Sequence, residues 1–210
     1  GRHGGHHHHG QTAFCTIQEA ICAVKIGGTV VVEDGIYREN LYVPAPVTIR
    51  AADADNKSNY KKLPYSCNYL EGDADDNQPP ADRTQQPSEN CRDKAPLQPV
   101  MLRKDRSERA QMAALMAKAA FPVLMPSDGS RSCIDIRLPA EATNGVKIIG
   151  LGIVAPAHLT RACIDVEAPN FIMKRNWVFG DENGDAVLVR SGLAAIAGNE
   201  ISHADVGVRL

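Results

Sequence analysis

At 210 residues the chain is long enough to bury a substantial core within one domain. A formal net charge of −2 supplies no general attraction to nucleic acid or to an anionic membrane surface, so neither partner is expected. With 43% apolar and 23% charged residues the composition is that of a globular fold, and no apolar run reaches the length of a membrane span.

Residues 1–13 begin with a low-complexity run, Gly1 to Gly10, in which His3 and His6 to His9 are bunched. Such imidazoles bind transition metals loosely, but the run has no folding pattern, and a disordered His-rich tail is expected. Residues 14–210 are expected to form a single domain. Thr16-x-x-Glu19 is a capping box, and Ile17, Ala20, Ile21 and Val24 fall on one face of a helix that Gly27-Gly28 ends. A helix this short does not persist alone in water, so its apolar face must rest on the rest of the fold.

Thr29 to Glu33, Leu41 to Val43 and Val47 to Ala51 are short β-type runs broken by Asp34-Gly35, Pro44 and Pro46. Three strands of this length, each closed by a turn, suit one coil of a three-sided solenoid. The run Thr16-Ile-Gln-Glu-Ala-Ile21, then Gly28-Thr-Val-Val-Val, Asp34-Gly-Ile-Tyr-Arg-Glu-Asn40 and Pro46-Val-Thr-Ile-Arg-Ala51, resembles the N-terminal cap and first coil of the pectin lyase-like superfamily. The resemblance implies an all-β fold, a right-handed parallel β-helix with a capping helix. It also implies a carbohydrate-active protein that works on acidic, uronate-type polysaccharides along an outer groove.

Residues 53–120 interrupt the strand pattern with a polar stretch rich in Asp, Asn, Gln and Pro, expected as a long irregular insertion. Cys67 and Cys91 lie within it, and a bridge between them would contribute about 3 kcal/mol in the chain-entropy model. The acidic runs Asp53 to Asn56 and Asp73 to Asn77 offer oxygen ligands for Ca²⁺ without the spacing of a complete loop. Ser107 to Ala120 has high helix propensity and is expected to pack as a helix against the wall of the coils.

From Ala142 to Ile201 one template is written three times: Val146 to Ile153, Phe171 to Val178 and Ala194 to Ile201. It reads apolar, x, apolar, x, small or Arg, Leu or Asn, x, apolar. A period in the twenties built on strand-like runs is the mark of a solenoid. The chain stops at Leu210 inside such a run, and truncation of a longer solenoid is expected. Asn176 and Asn199 share one template position and are expected to form a structural Asn ladder at a coil corner.

Cys133-Ile-Asp-Ile136 and Cys163-Ile-Asp-Val166 recur one coil apart. If the Ile and Val side chains face inward, both cysteines and both aspartates face outward, stacked about 4.8 Å apart. Cys133 and Cys163 then read either as a disulfide or as two stacked thiols. Asp135 and Asp165 read as a Ca²⁺ or acid–base site on the outer groove, or as solvated carboxylates relieved by Arg137, Arg161 or Arg190. Trp177, at an outward template position, and Tyr37 are candidates for stacking on sugar rings. The candidate glycan-binding set is therefore Asp135, Asp165, Trp177 and Arg190, with Ca²⁺ the only cofactor considered. No nucleophile elbow, P-loop, dinucleotide fingerprint or metal-spaced His/Cys cluster occurs, and the catalytic motifs of pectin methylesterases and pectate lyases find no match. Two functions remain open: a carbohydrate-active protein, or a non-enzymatic adhesive or structural protein. Six cysteines favour a secreted or cell-surface location.

Overall fold

The computed structural model describes residues 13–54, 82–83 and 107–210. The His-rich run, Cys67, Cys91 and the Asp73 to Asn77 stretch lie outside the described residues. The described chain is mostly β, with parallel strands in two sheets and two helices. In chain order these are α1 (Ile17–Ala23), β1 (Thr29–Val32), β2 (Ile36–Tyr37), β3 (Leu41–Val43), β4 (Thr48–Ala51) and β5 (Asp82–Arg83). Then come α2 (Glu108–Lys118), β6 (Val123–Leu124), β7 (Ile134–Arg137), β8 (Val146–Ile149) and β9 (Gly152–Val154). The last five are β10 (Ile164–Lys174), β11 (Trp177–Phe179), β12 (Asp185–Ala197), β13 (Glu200–Ser202) and β14 (Val206–Arg209).

The larger sheet holds two ladders side by side. One pairs β3, β7, the first half of β10, the first half of β12, and β14. The other pairs β1, β4, β8 and the second halves of β10 and β12. Register shifts flanking Glu167 separate the two halves of β10. The smaller sheet runs β5-β2-β6-β9-β11-β13. The chain visits the first ladder, the second ladder and the smaller sheet in turn, as in β7–β8–β9, and then starts again. Parallel pairing demands such long crossovers, because parallel neighbours cannot be joined by a tight hairpin.

The repeated template pairs with itself. Phe171 stands opposite Val146 on one side and Ala194 on the other. Its first and third positions point inward, so Val146, Ile148, Phe171 and Met173 are buried in one continuous core with Ile134, Ile164 and their neighbours. Its fifth position is a corner. Gly150, Arg175 and Gly198 all take left-handed backbone there, with φ of 75°, 56° and 63°. Glycine enters that region without steric cost, which explains the small residues in two of the three copies.

α1 rests on β1 and β3, with Ile17 and Ile21 in the core. The Thr16 hydroxyl accepts the Glu19 amide at 3.1 Å, one half of the capping box. Glu39, almost fully buried, takes the first two helical amides: Ile17 N–H donates to Oε1 at 2.8 Å and Gln18 N–H to Oε2 at 2.9 Å. Burial pushes the Glu39 carboxyl up, and these two hydrogen bonds offset only part of that rise.

α2 lies on the outer face of the smaller sheet and creates a second apolar cluster there. Ala113 and Met116 pack with Phe121, Val154, Trp177 and Phe179. The strands beneath are therefore buried on both faces, and every residue of β9 and β11 is buried. Close approach depends on Gly152, where an added Cβ would fall 2.9 Å from Met116 Sδ and 3.2 Å from its Cβ.

Candidate functional site

Strand alternation sends Ile134, Ile136, Ile164 and Val166 inward and leaves the odd positions outward. In the first ladder, Tyr42, Asp135, Asp165, Leu188 and Arg209 stand in one cross-strand column. Asp165 has no exposed surface even so, because two arginines close over it. Arg190 grips it bidentately, Nε to Oδ1 at 2.7 Å and Nη2 to Oδ2 at 2.8 Å. Arg137 Nη1 donates to Asp165 Oδ1 at 3.2 Å, and Arg137 Nη2 lies 3.1 Å from Oδ2. The same Nη2 is 2.8 Å from Asp135 Oδ1, an ion pair by distance whose angles fall outside those of a hydrogen bond.

Burial pushes the Asp165 carboxyl up, but hydrogen bonds and charge from Arg190 and Arg137 outweigh it and hold it below the usual aspartate value. Asp165 is thus an ionised, doubly paired carboxylate. It carries no proton to give as a general acid, and its lone pairs are already engaged, which removes it as a general base. A shared cation fares no better as the link between Asp135 and Asp165. The Arg137 guanidinium already bridges the two carboxylates, and a Ca²⁺ ion needs six or more oxygens. Among the described residues no group of three or more His, Cys, Asp and Glu side chains is placed to hold a metal. The oxygens of Asp135 and Asp165 alone do not make up a Ca²⁺ site.

Trp177 does not offer its ring to a sugar. It does point away from the main core, but α2 covers it, leaving it 5% exposed and edge-on to Phe121 with ring centroids 6.2 Å apart. Tyr37 is buried as well, its hydroxyl donating to Glu33 O at 2.8 Å. The expectation that Cys133 and Cys163 face outward is corrected: both are fully buried in the main core. They sit on the bends that lead into β7 and β10, where strand alternation no longer dictates direction. Asn176 and Asn199 are stacked at the corner, with Asn176 Nδ2 donating to Asn199 Oδ1 at 2.9 Å. Asn176 Oδ1 accepts the Leu151 amide at 2.9 Å, and Asn199 Nδ2 donates to Met173 O at 2.9 Å.

Sequence patterning overlooked two groupings. The first is a staple for α2: Arg109 pairs with buried Asp181, Nη2 to Oδ2 at 2.6 Å, and its Nε donates to Ala155 O at 2.9 Å. Burial raises the Asp181 carboxyl, while hydrogen bonds from Asn183, the Arg109 charge and the His158 amide bring it below the usual value. The second is a cleft of about 360 Å³ at the lower end of the outward column. Arg161, Arg190 and Arg209 line it together with Thr160, Asn183 and Asp205. Arg209 is held bidentately by Asp185 at 2.8 and 2.9 Å, whereas exposed Arg161 forms no ion pair with any described residue. Carrying the column of Asp165 one strand past Leu188 reaches Arg209, which was the available signal. No helix of the described residues is long and apolar enough to cross a membrane. Compared with known proteins, the chain matches no family model, no curated protein and no solved structure.

Proposed function

We propose that the chain is part of a right-handed parallel β-helix of the pectin lyase-like kind, and that it binds an acidic polysaccharide at the arginine-lined cleft without cleaving it. The β-helix reading is supported by parallel ladders visited in a fixed rotation and by a template that pairs with its own copies in register. The binding reading rests on one observation above all. The cleft beside Arg190 and Arg209 holds Arg161, an exposed guanidinium whose donors are engaged by no carboxylate of the described residues. A planar fork of this kind recognises carboxylates bidentately, and uronate polymers carry one carboxylate per sugar. The locked state of Asp165 favours binding over catalysis. A secreted or cell-surface setting suits this role, and Cys15, which is disulfide-bonded, accords with it.

Electrophoresis through gels containing polygalacturonate tests the proposal. The protein should be retarded, the retardation should fade with added salt, and Arg161→Ala should weaken binding about tenfold, the value of one charge-assisted pair. No reducing ends should be released. Equal mobility in polygalacturonate, alginate and uncharged glucan gels would refute glycan binding. It would leave the second reading, a rigid surface scaffold, which the neutralised outer column and the helix-covered aromatic face favour.

A further inference from the structure

Cys133 and Cys163 enter the core on equivalent bends of two adjacent traverses. Their next residues, Ile134 and Ile164, are direct register partners. Parallel neighbours lie about 4.8 Å apart, inside the Cα separation of roughly 4.4–6.8 Å that a disulfide spans. The two Sγ atoms stand 2.6 Å apart, well within the distance that unbonded atoms of their size keep. Both side chains are fully buried among Ile134, Ile164 and the rest of the apolar core, and among the described residues neither sulfur belongs to a metal-ligating group. Cys22, in contrast, is free and exposed, while Cys15 is already oxidised in a disulfide.

We infer that Cys133 and Cys163 form a buried disulfide that ties one traverse of the fold to the next. The reaction is ordinary exchange with a small disulfide such as oxidised glutathione. One cysteine thiolate attacks a glutathione sulfur and expels a glutathione thiolate. The second cysteine, deprotonated, then attacks the mixed disulfide at the protein sulfur and expels the other. Two protein thiols become one disulfide, and one glutathione disulfide becomes two thiols. The step belongs to folding. In the closed core burial and the neighbouring sulfur push the Cys133 thiol up, which withholds the thiolate, and no oxidant can reach it. Once formed, the bond is sealed from reductants for the same reason.

The full chain refolded in a glutathione redox buffer, then alkylated in denaturant and mapped by mass spectrometry, reads this out directly. A peptide pair joined through Cys133 and Cys163 is expected. Dithiothreitol should reduce that bond at least tenfold more slowly in folded protein than in guanidinium. The double variant Cys133→Ala, Cys163→Ala separates the cross-link from packing. The parent's melting temperature should fall by on the order of 10 °C when the bond is reduced, and the variant's should not respond at that bond. Alkylated Cys133 and Cys163 in protein with a cooperative β-type transition would overturn the inference, whatever the state of Cys15. So would a melting temperature of the parent that ignores reduction of the mapped bond.

Discussion

Asp165 is the residue on which the outer column turns. It is a charge without exposed surface, held between Arg190 and Arg137, whose side chains remain 48% and 26% exposed. Asp165→Asn leaves both guanidinium groups facing a neutral amide, yet they can still reach water. The expected loss is therefore about 2–3 kcal/mol, below the full penalty for stranding a buried charge. Asp185→Asn is the control, because its partner Arg209 is 54% exposed; the cost there should stay under about 1 kcal/mol. The pH dependence has a fixed sign. The folded Asp165 pKa is depressed, so its stabilisation is complete above the unfolded value near 3.8 and is lost as pH falls through the lower folded value. Urea melts between pH 5 and 2 should show a flatter acid limb in Asp165→Asn than in the parent. Since Asp181 is also held low, the comparison between the two proteins isolates Asp165. A parallel shift of both curves would mean that Asp165 does not titrate in this window. The pairing of Asp135 with Asp165 was legible from the spacing of two Cys-Ile-Asp runs. Arg137, Arg161 and Arg190 were legible as candidates to relieve the pair; that Arg137 and Arg190 both close on Asp165 while Arg161 does not needed three dimensions, since the guanidinium ends reach across strands that sequence separation hides.

At the scale of the element, α2 decides which face of the smaller sheet meets water. It has only a weakly amphipathic sequence, and its docking rests on three local features: the Arg109–Asp181 pair, the gap above Gly152, and the Trp177–Phe121 edge contact. Trp177 is the chain's one tryptophan, so its fluorescence reports directly on this contact. Native emission should be blue-shifted, as suits an indole 5% exposed. Arg109→Ala removes the cationic partner of the buried Asp181 carboxylate, which keeps its hydrogen bonds from Asn183 and the His158 amide, and should cost about 1–3 kcal/mol. Gly152→Ala drives a methyl into Met116 and should cost about 1–3 kcal/mol. Both should move the emission to the red at urea concentrations where far-ultraviolet circular dichroism still shows intact β structure. Coincident transitions by the two probes would show instead that α2 cannot leave without the sheets. Helix propensity alone made α2 visible in the sequence. Its docking site was not, because an outward Trp and a Gly in a strand look like surface and flexibility until a helix covers them.

For the whole molecule, the repeat carried most of the information: copies offset by 25 and 23 residues do stand opposite one another. Strand alternation then predicted the inward set of β7, β8 and β10, and it failed at the bends, where Cys133 and Cys163 turn into the core. In the β-helix proposed above each traverse touches only its neighbours, so stability should behave as a nearly one-dimensional sum. Among the described residues β13 and β14 each pair on one side only, and Leu193 and Val208 in this region are 75% and 37% exposed. Amide hydrogen exchange should therefore be slowest in β7, β8 and the first half of β10, and fastest in β13 and β14. The Asn corner tests the coupling between traverses. Asn176 is buried and joins both neighbours through Leu151 N, Ile148 O and Asn199 Oδ1. Asn176→Ala leaves the Leu151 amide without its acceptor and removes a donor from Ile148 O, and should cost about 2–3 kcal/mol, raising exchange across β8 to β11. Asn199→Ala acts at the one-sided edge, and its cost of about 1 kcal/mol should stay confined to β12, β13 and the second half of β10 that it touches through Met173 O. Uniform acceleration of every strand by Asn199→Ala would show that the sheets open only as one unit, and the one-dimensional picture would fail.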